Sequence, residues 1–126
     1  MATLRVLVVE DEADLLDEVA SYLRRRGETV LVAGSHDDGL RIIRDDATPI
    51  DVLVTDARLP DGNGIDLIRP YIERGGDRRA CILMTGHLDR SQVSPDLQGV
   101  RVFDKPFALS QLYREIKAAV DLPVAV

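Results

Sequence analysis

Val6-Leu7-Val8-Val9-Glu10-Asp11-Glu12 is an unbroken apolar run that ends abruptly in three carboxylates. Strict alternation would mark a strand with one wet face. A continuous β-branched run instead marks a strand buried on both faces, as in a parallel sheet covered by helices. Helical spacing follows at once: Leu15, Val19 and Leu23 recur on one stripe with Leu16 beside them, and Gly27 supplies a stop. The pair of signals then repeats. Thr29-Val30-Leu31-Val32-Ala33 predicts a second strand, and Ser35 with Asp38 resembles a capping box opening a helix striped by Leu40, Ile43 and Ala47. Val52-Leu53-Val54-Thr55 predicts a third strand, and Ile65, Ile68 and Ile72 a third helix. Pro70 should kink that helix, because its ring removes one hydrogen bond and crowds the preceding turn. Cys81 to Met84 and Val100 to Phe103 read as two more strands, and Leu109, Leu112, Ile116 and Val120 as a final amphipathic helix. The alternation asks for a fourth helix between Gly86 and Gly99, but that segment is polar and contains Pro95, so a short or irregular helix is expected.

The expected fold is therefore α/β, a doubly wound five-stranded parallel sheet. The chain's 126 residues suit one domain, expected over residues 1–121, with 122–126 as a tail or the start of a linker. Aromatic residues make up only 4%, so the core must come from Val, Leu, Ile and Ala. The net charge of -6 argues against direct nucleic-acid binding, which calls for a basic balance. Arg24-Arg25-Arg26 reads as a solvated helix end, where cations favour the dipole. Cys81 is the lone cysteine and sits in an apolar run, as a small buried hydrophobe does. His36 and His87 read as surface residues, and with one cysteine they give a zinc site little support. No apolar stretch is long enough for a membrane span, and no signal-peptide pattern opens the chain. A cytoplasmic location is expected.

Chemistry-bearing residues fall just past the strand ends. Glu10-Asp11 follows the first strand, Asp56 ends the third, Thr85 ends the fourth and Lys105-Pro106 follows the fifth. Ligands of open parallel sheets bind at the carboxyl ends of strands, so these positions should share one crevice. Each alone has a plainer reading: Glu10-Asp11 as a helix cap, Asp56 as a turn residue, Thr85 as a strand-end hydroxyl, Lys105 as a solvated charge. Gly62 and Gly64 read as turn formers. Together, three close carboxylates repel one another. A divalent cation and the Lys105 ammonium would balance them. Magnesium suits such an all-oxygen site, and manganese would also serve. A carboxylate there can act as a nucleophile toward a phosphoryl group, with charge neutralisation supplied by its neighbours.

Four pieces carry a family resemblance: Val8-Val9-Glu10-Asp11-Glu12; Asp56-Ala57-Arg58-Leu59-Pro60-Asp61-Gly62-Asn63-Gly64; Met84-Thr85-Gly86; and Phe103-Asp104-Lys105-Pro106-Phe107. In order and spacing the chain resembles the CheY-like receiver domains of two-component response regulators. The resemblance implies a flavodoxin-like sheet of strand order 2-1-3-4-5. It implies Asp56 as phosphoacceptor, Asp11 and Asp56 as Mg2+ ligands with the Arg58 backbone carbonyl, and Glu10 acting through a water. Thr85 and Lys105 would contact the phosphoryl group, and the Lys105-Pro106 bond would be cis. Partners would be a sensor histidine kinase or histidine phosphotransfer protein and an output domain or downstream protein. The chain would not be an enzyme beyond accepting and slowly losing its own phosphoryl group, and phosphorylation would switch the surface around residues 86–103.

Three departures stand out. The family's aromatic switch position, three before the lysine, holds Val102, and Phe103 one place later should face the other side of the strand. The segment between Thr85 and Lys105 is slightly short. Arg58 and His87 place large, potentially cationic side chains two residues after Asp56 and Thr85. Two other functions compete: a phosphorylation-independent interaction module of the same fold, and a Mg2+-dependent phosphohydrolase of the haloacid-dehalogenase type. The latter needs a second Asp where Arg58 stands, and an arginine does not transfer protons at ordinary pH.

Overall fold

The computed structural model describes residues 3–86 and 98–121. Its elements run β1 (Arg5–Val9), α1 (Ala13–Arg25), β2 (Thr29–Ala33), α2 (His36–Arg44), β3 (Val52–Asp56), β4 (Arg58–Leu59), β5 (Gly62–Asn63), α3 (Ile68–Glu73), β6 (Cys81–Thr85), β7 (Arg101–Asp104) and α4 (Leu109–Asp121). Two short 3-10 turns, Gly64–Leu67 and Arg78–Ala80, precede α3 and β6. Five strands form one sheet in the order β2-β1-β3-β6-β7, and every pairing in it is parallel. Leaving aside the β4–β5 hairpin, this is the expected 2-1-3-4-5 order.

The apolar runs are buried on both sides, as their composition demanded. Val6, Val8, Val52, Val54, Ile82 and Met84 point to a face covered by Val19, Ala20 and Leu23 of α1 and Leu112 and Ile116 of α4. Leu7, Val9, Leu53 and Cys81 point the other way, onto Ile43, Leu67, Ile68 and Tyr71. With nine and six residues, α2 and α3 are too short to persist alone in water, so this packing is what holds them.

Local differences from expectation have physical causes. Pro70 does not kink a long helix. The chain turns through a 3-10 segment first, and α3 begins at Ile68, which puts Pro70 in the first turn, where its missing N–H removes no helical bond. Helix α2 stops at Arg44, so Ala47 lies beyond it and is exposed rather than part of the stripe. His36 is not a free surface residue: its side chain is 18% exposed, and it packs over Gly62. The hairpin β4–β5 is additional to the expected strands. The expected irregular helix, His87 and the tail 122–126 lie outside the described residues. No helix among the described residues is long and apolar enough to cross a membrane.

Candidate functional site: an acidic pocket at the strand ends

The sheet register gathers residues that are dozens of positions apart. Val9 pairs with Thr55, Asp56 with Met84, and Thr85 with Asp104, so Glu10, Asp56, Thr85 and Lys105 all emerge at one edge. Backbone bonds extend the ladder past the strands: Glu10 N–H to the Ala33 carbonyl (3.0 Å), Ala57 N–H to Met84 (2.8 Å) and Lys105 N–H to Thr85 (2.8 Å). The Lys105-Pro106 bond is cis.

Glu10, Asp56 and Thr85 are buried, whereas Asp11 is exposed at the rim. The Lys105 Nζ donates to Glu10 Oε1 at 2.6 Å and to Asp56 Oδ2 at 3.1 Å. The remaining oxygens are met by backbone: Glu12 N–H reaches Glu10 Oε2 at 3.0 Å, and Arg58 N–H reaches Asp56 Oδ1 at 3.4 Å. Burial pushes the Glu10 carboxyl above its ordinary pKa, and the bonds from Lys105 and Glu12 only partly oppose it. Burial alone would lower the Lys105 pKa. The hydrogen bonds to Glu10 and Asp56 outweigh it and hold the ammonium above its usual value.

Carboxylate oxygens of Glu10, Asp11 and Asp56 lie within 4.8 Å of one another. A cluster made only of carboxylate oxygens fits a hard divalent cation, and Lys105 alone leaves it with excess negative charge. The side chain of Arg58 is exposed. On β7, Val102 pairs with Leu83 and so shares the face of Thr85, whereas Phe103 pairs with Met84 and faces the opposite core. There its ring meets Phe107 edge-on at 5.2 Å. The expected reversal of the aromatic position is what the structure shows.

Two contributors were not legible as such. Gly64 is not a left-handed turn residue. It lies against β3, where an added Cβ would stand 1.7 Å from the Asp56 carbonyl oxygen. Asp61 accepts backbone N–H groups of α2 rather than only ending the Asp56 loop. A glycine eight residues after a strand end, or an Asp after Pro, carries the same local signal as any turn.

A parallel α/β domain with two buried carboxylates, a third at the rim and a lysine at its strand ends belongs to a class of phosphoryl-handling or cation-binding domains. Comparison with known proteins narrows it. The response regulator receiver domain family matches residues 6–117, and the chain belongs to that family. The transcriptional regulatory protein CutR of Streptomyces coelicolor is 35% identical over 120 residues, covering 91% of this chain and 52% of CutR. The chain thus spans about half the length of the curated relatives it matches. A response regulator receiver domain from Clostridium thermocellum superposes with a TM-score of 0.82 at 29% identity, covering 96% of this chain and 97% of that one. The receiver domain from the hybrid histidine kinase CckA gives 0.76 at 28%, covering 92% and 98%.

Proposed function

We propose that this receiver domain accepts a phosphoryl group on Asp56 from a phosphohistidine of a sensor histidine kinase or histidine phosphotransfer protein. The observation that carries the reading is the Asp56 carboxylate, buried at the end of β3, with one oxygen on the Lys105 ammonium and the other on the Arg58 N–H. An Asp56 oxygen forms the new bond to phosphorus as the phosphorus–nitrogen bond to the donor breaks, and the departing imidazole keeps the electron pair and takes a proton. Asp11, Asp56 and the Arg58 carbonyl would hold Mg2+ directly, and Glu10 through a water. The ion would neutralise phosphoryl oxygens during transfer. Lys105 exchanges its carboxylate partners for a phosphoryl oxygen, and the Thr85 hydroxyl donates to another.

The unit of function is the domain 1–121, with 122–126 as a tail or the start of a linker, and an output domain or a downstream protein receives the signal. The setting is the cytoplasm, and the role is regulatory, with self-dephosphorylation as the only turnover. Phosphorylation would act on the surface around residues 86–103, without an aromatic at Val102.

The test is incubation with acetyl phosphate and Mg2+, reduction of the acyl phosphate with borohydride, and mapping of the product. Label is expected on Asp56 alone and absent from Asp56→Asn. Label on Asp11, or undiminished label in Asp56→Asn, would overturn the assignment.

A further inference from the structure

The loop after Asp56 and the N-terminus of α2 are tied together by one side chain. Ser35 is the N-cap of α2, and its Oγ accepts the Asp38 N–H at 3.1 Å. The N–H groups of His36 and Asp37 have no partner inside the helix. Asp61, which follows β3 in the chain, takes both: Oδ1 accepts from His36 at 2.8 Å and Oδ2 from Asp37 at 3.0 Å. The carboxylate also sits at the positive end of the helix dipole. The N–H groups of Asp37 and then His36 hold its pKa below the ordinary carboxylate range, so it is charged at neutral pH.

Asp61 lies in the turn of the β4–β5 hairpin. That hairpin has only two pairs, Arg58 with Asn63 and Leu59 with Gly62, and so short a ladder does not hold its own shape in water. It is fixed from outside: Leu59 is buried in the core, Gly64 abuts Asp56, and Asp61 grips α2. Gly62 abuts the His36 ring closely enough that an added Cβ would come within 3.1 Å of it. The first residue of the hairpin is Arg58, whose N–H meets the Asp56 carboxylate.

We propose that Asp61 is a positioning residue for the acceptor site: its two-oxygen grip on α2 fixes the hairpin, and through it the Arg58 peptide that orients Asp56 and supplies a carbonyl to the cation. This rests on the reading of Asp56 as acceptor. Asp61 is not among the residues assigned to the phosphoryl group or to the cation of the acceptor pocket. It acts by removing freedom from the peptide that does. An ordinary helix cap would contribute stability and nothing else, and Ser35 provides that comparison at the same helix end.

The experiment is a calorimetric Mg2+ titration of the chain and its variants, with melting curves and acetyl phosphate labelling rates alongside. Loss of a partner that orients a ligand typically weakens a metal site about 10- to 100-fold, so Asp61→Ala should raise the Mg2+ Kd about tenfold and slow labelling in step. Asp61→Asn keeps one acceptor oxygen and should fall in between, at about threefold. Ser35→Ala should lower the melting temperature yet leave the Kd within about twofold. A Kd for folded Asp61→Ala within twofold of wild type overturns the proposal. So does an equal weakening by Ser35→Ala. If Asp61→Ala does not fold, Asp61→Asn decides on the same twofold line. A wild-type chain that neither binds Mg2+ nor labels would overturn the acceptor reading itself. A competent wild type with an indifferent Asp61 overturns only the positioning role.

Discussion

Replacing Gly64 by alanine tests whether the loop is built against the end of β3. The new Cβ would stand 1.7 Å from the Asp56 carbonyl oxygen, 2.8 Å from its carbonyl carbon and 2.5 Å from Thr55 Oγ1. Real Cβ contacts essentially never fall under 3.0 Å, so the loop or the end of β3 must move by the difference, at least 1.3 Å. Two of the three obstacles are backbone, which no rotamer change can relieve. Overpacking typically costs about 1–3 kcal/mol, and a backbone collision belongs at the upper end, about 3 kcal/mol. With an unfolding entropy of roughly 2.1 cal/mol/K per residue, that corresponds to a melting point lower by roughly 10 °C. The movement falls on Asp56, the proposed phosphoacceptor, and displacements of about 1 Å can cost about 100-fold in rate. Urea and thermal unfolding read the first effect, and acetyl phosphate labelling the second. Gly34→Ala is the control: its added Cβ meets nothing within 4 Å, and its backbone is not left-handed. Gly64→Ala that melts within about 3 °C of wild type and labels at the wild-type rate would refute the reasoning.

Lys105→Met removes the counter-ion of two carboxylates whose side chains are 1% and 12% exposed. Breaking a buried pair costs about 3–5 kcal/mol, and the partial exposure of Lys105 brings this to about 2 kcal/mol. Chemical denaturation should show that loss, and Mg2+ should raise the variant's melting temperature more than the wild type's; unchanged stability would contradict the counter-ion role. Cys81 is buried, and burial chiefly, with the nearby Asp77 charge, pushes its thiol up to about 12. At pH 8 it should react with a disulfide reagent on the order of 1000-fold more slowly than a free thiol, reaching full rate on unfolding, and prompt reaction in the folded chain would place it at the surface instead.

Much of this architecture was legible because two periods differ so plainly. Unbroken Val-Leu runs suited strands covered on both faces, and the i, i+4 stripes of α1 and α4 suited helices. Once the runs were parallel strands, the position of Glu10, Asp56, Thr85 and Lys105 just past their ends placed all four at one edge. The face of Phe103 followed from the period of two. What sequence did not carry was set by contacts between distant segments. The late start of α3 depends on a 3-10 turn that leaves Pro70 harmless. The end of α2 at Arg44 falls before its apolar pattern stops. His36 is covered because Gly62, from another loop, lies beneath it. Asp61 looks like any turn residue until α2 supplies its two donors.

Charge decides how this pocket can work. Three carboxylates and one ammonium leave it with a formal charge of about minus two, at a site where Glu10 and Asp56 are largely withdrawn from water. Lys105 already bridges both buried carboxylates, so it cannot also neutralise Asp11 at the rim. On the acceptor reading, a divalent cation brings the count to about zero before transfer. Phosphorylation on that reading then removes the charge of the Asp56 carboxylate and installs a dianionic phosphoryl group, leaving about minus one. The pocket therefore stays near neutrality on both sides of the reaction only with a cation present. Lys105 also has a reason to move, since the charge on its second partner passes from the Asp56 carboxylate to the phosphoryl oxygens. Phe103 and Phe107, edge-on to each other on the α1–α4 face, flank Lys105 in the chain, while Val102, on the face of Thr85, has no long side chain to swing.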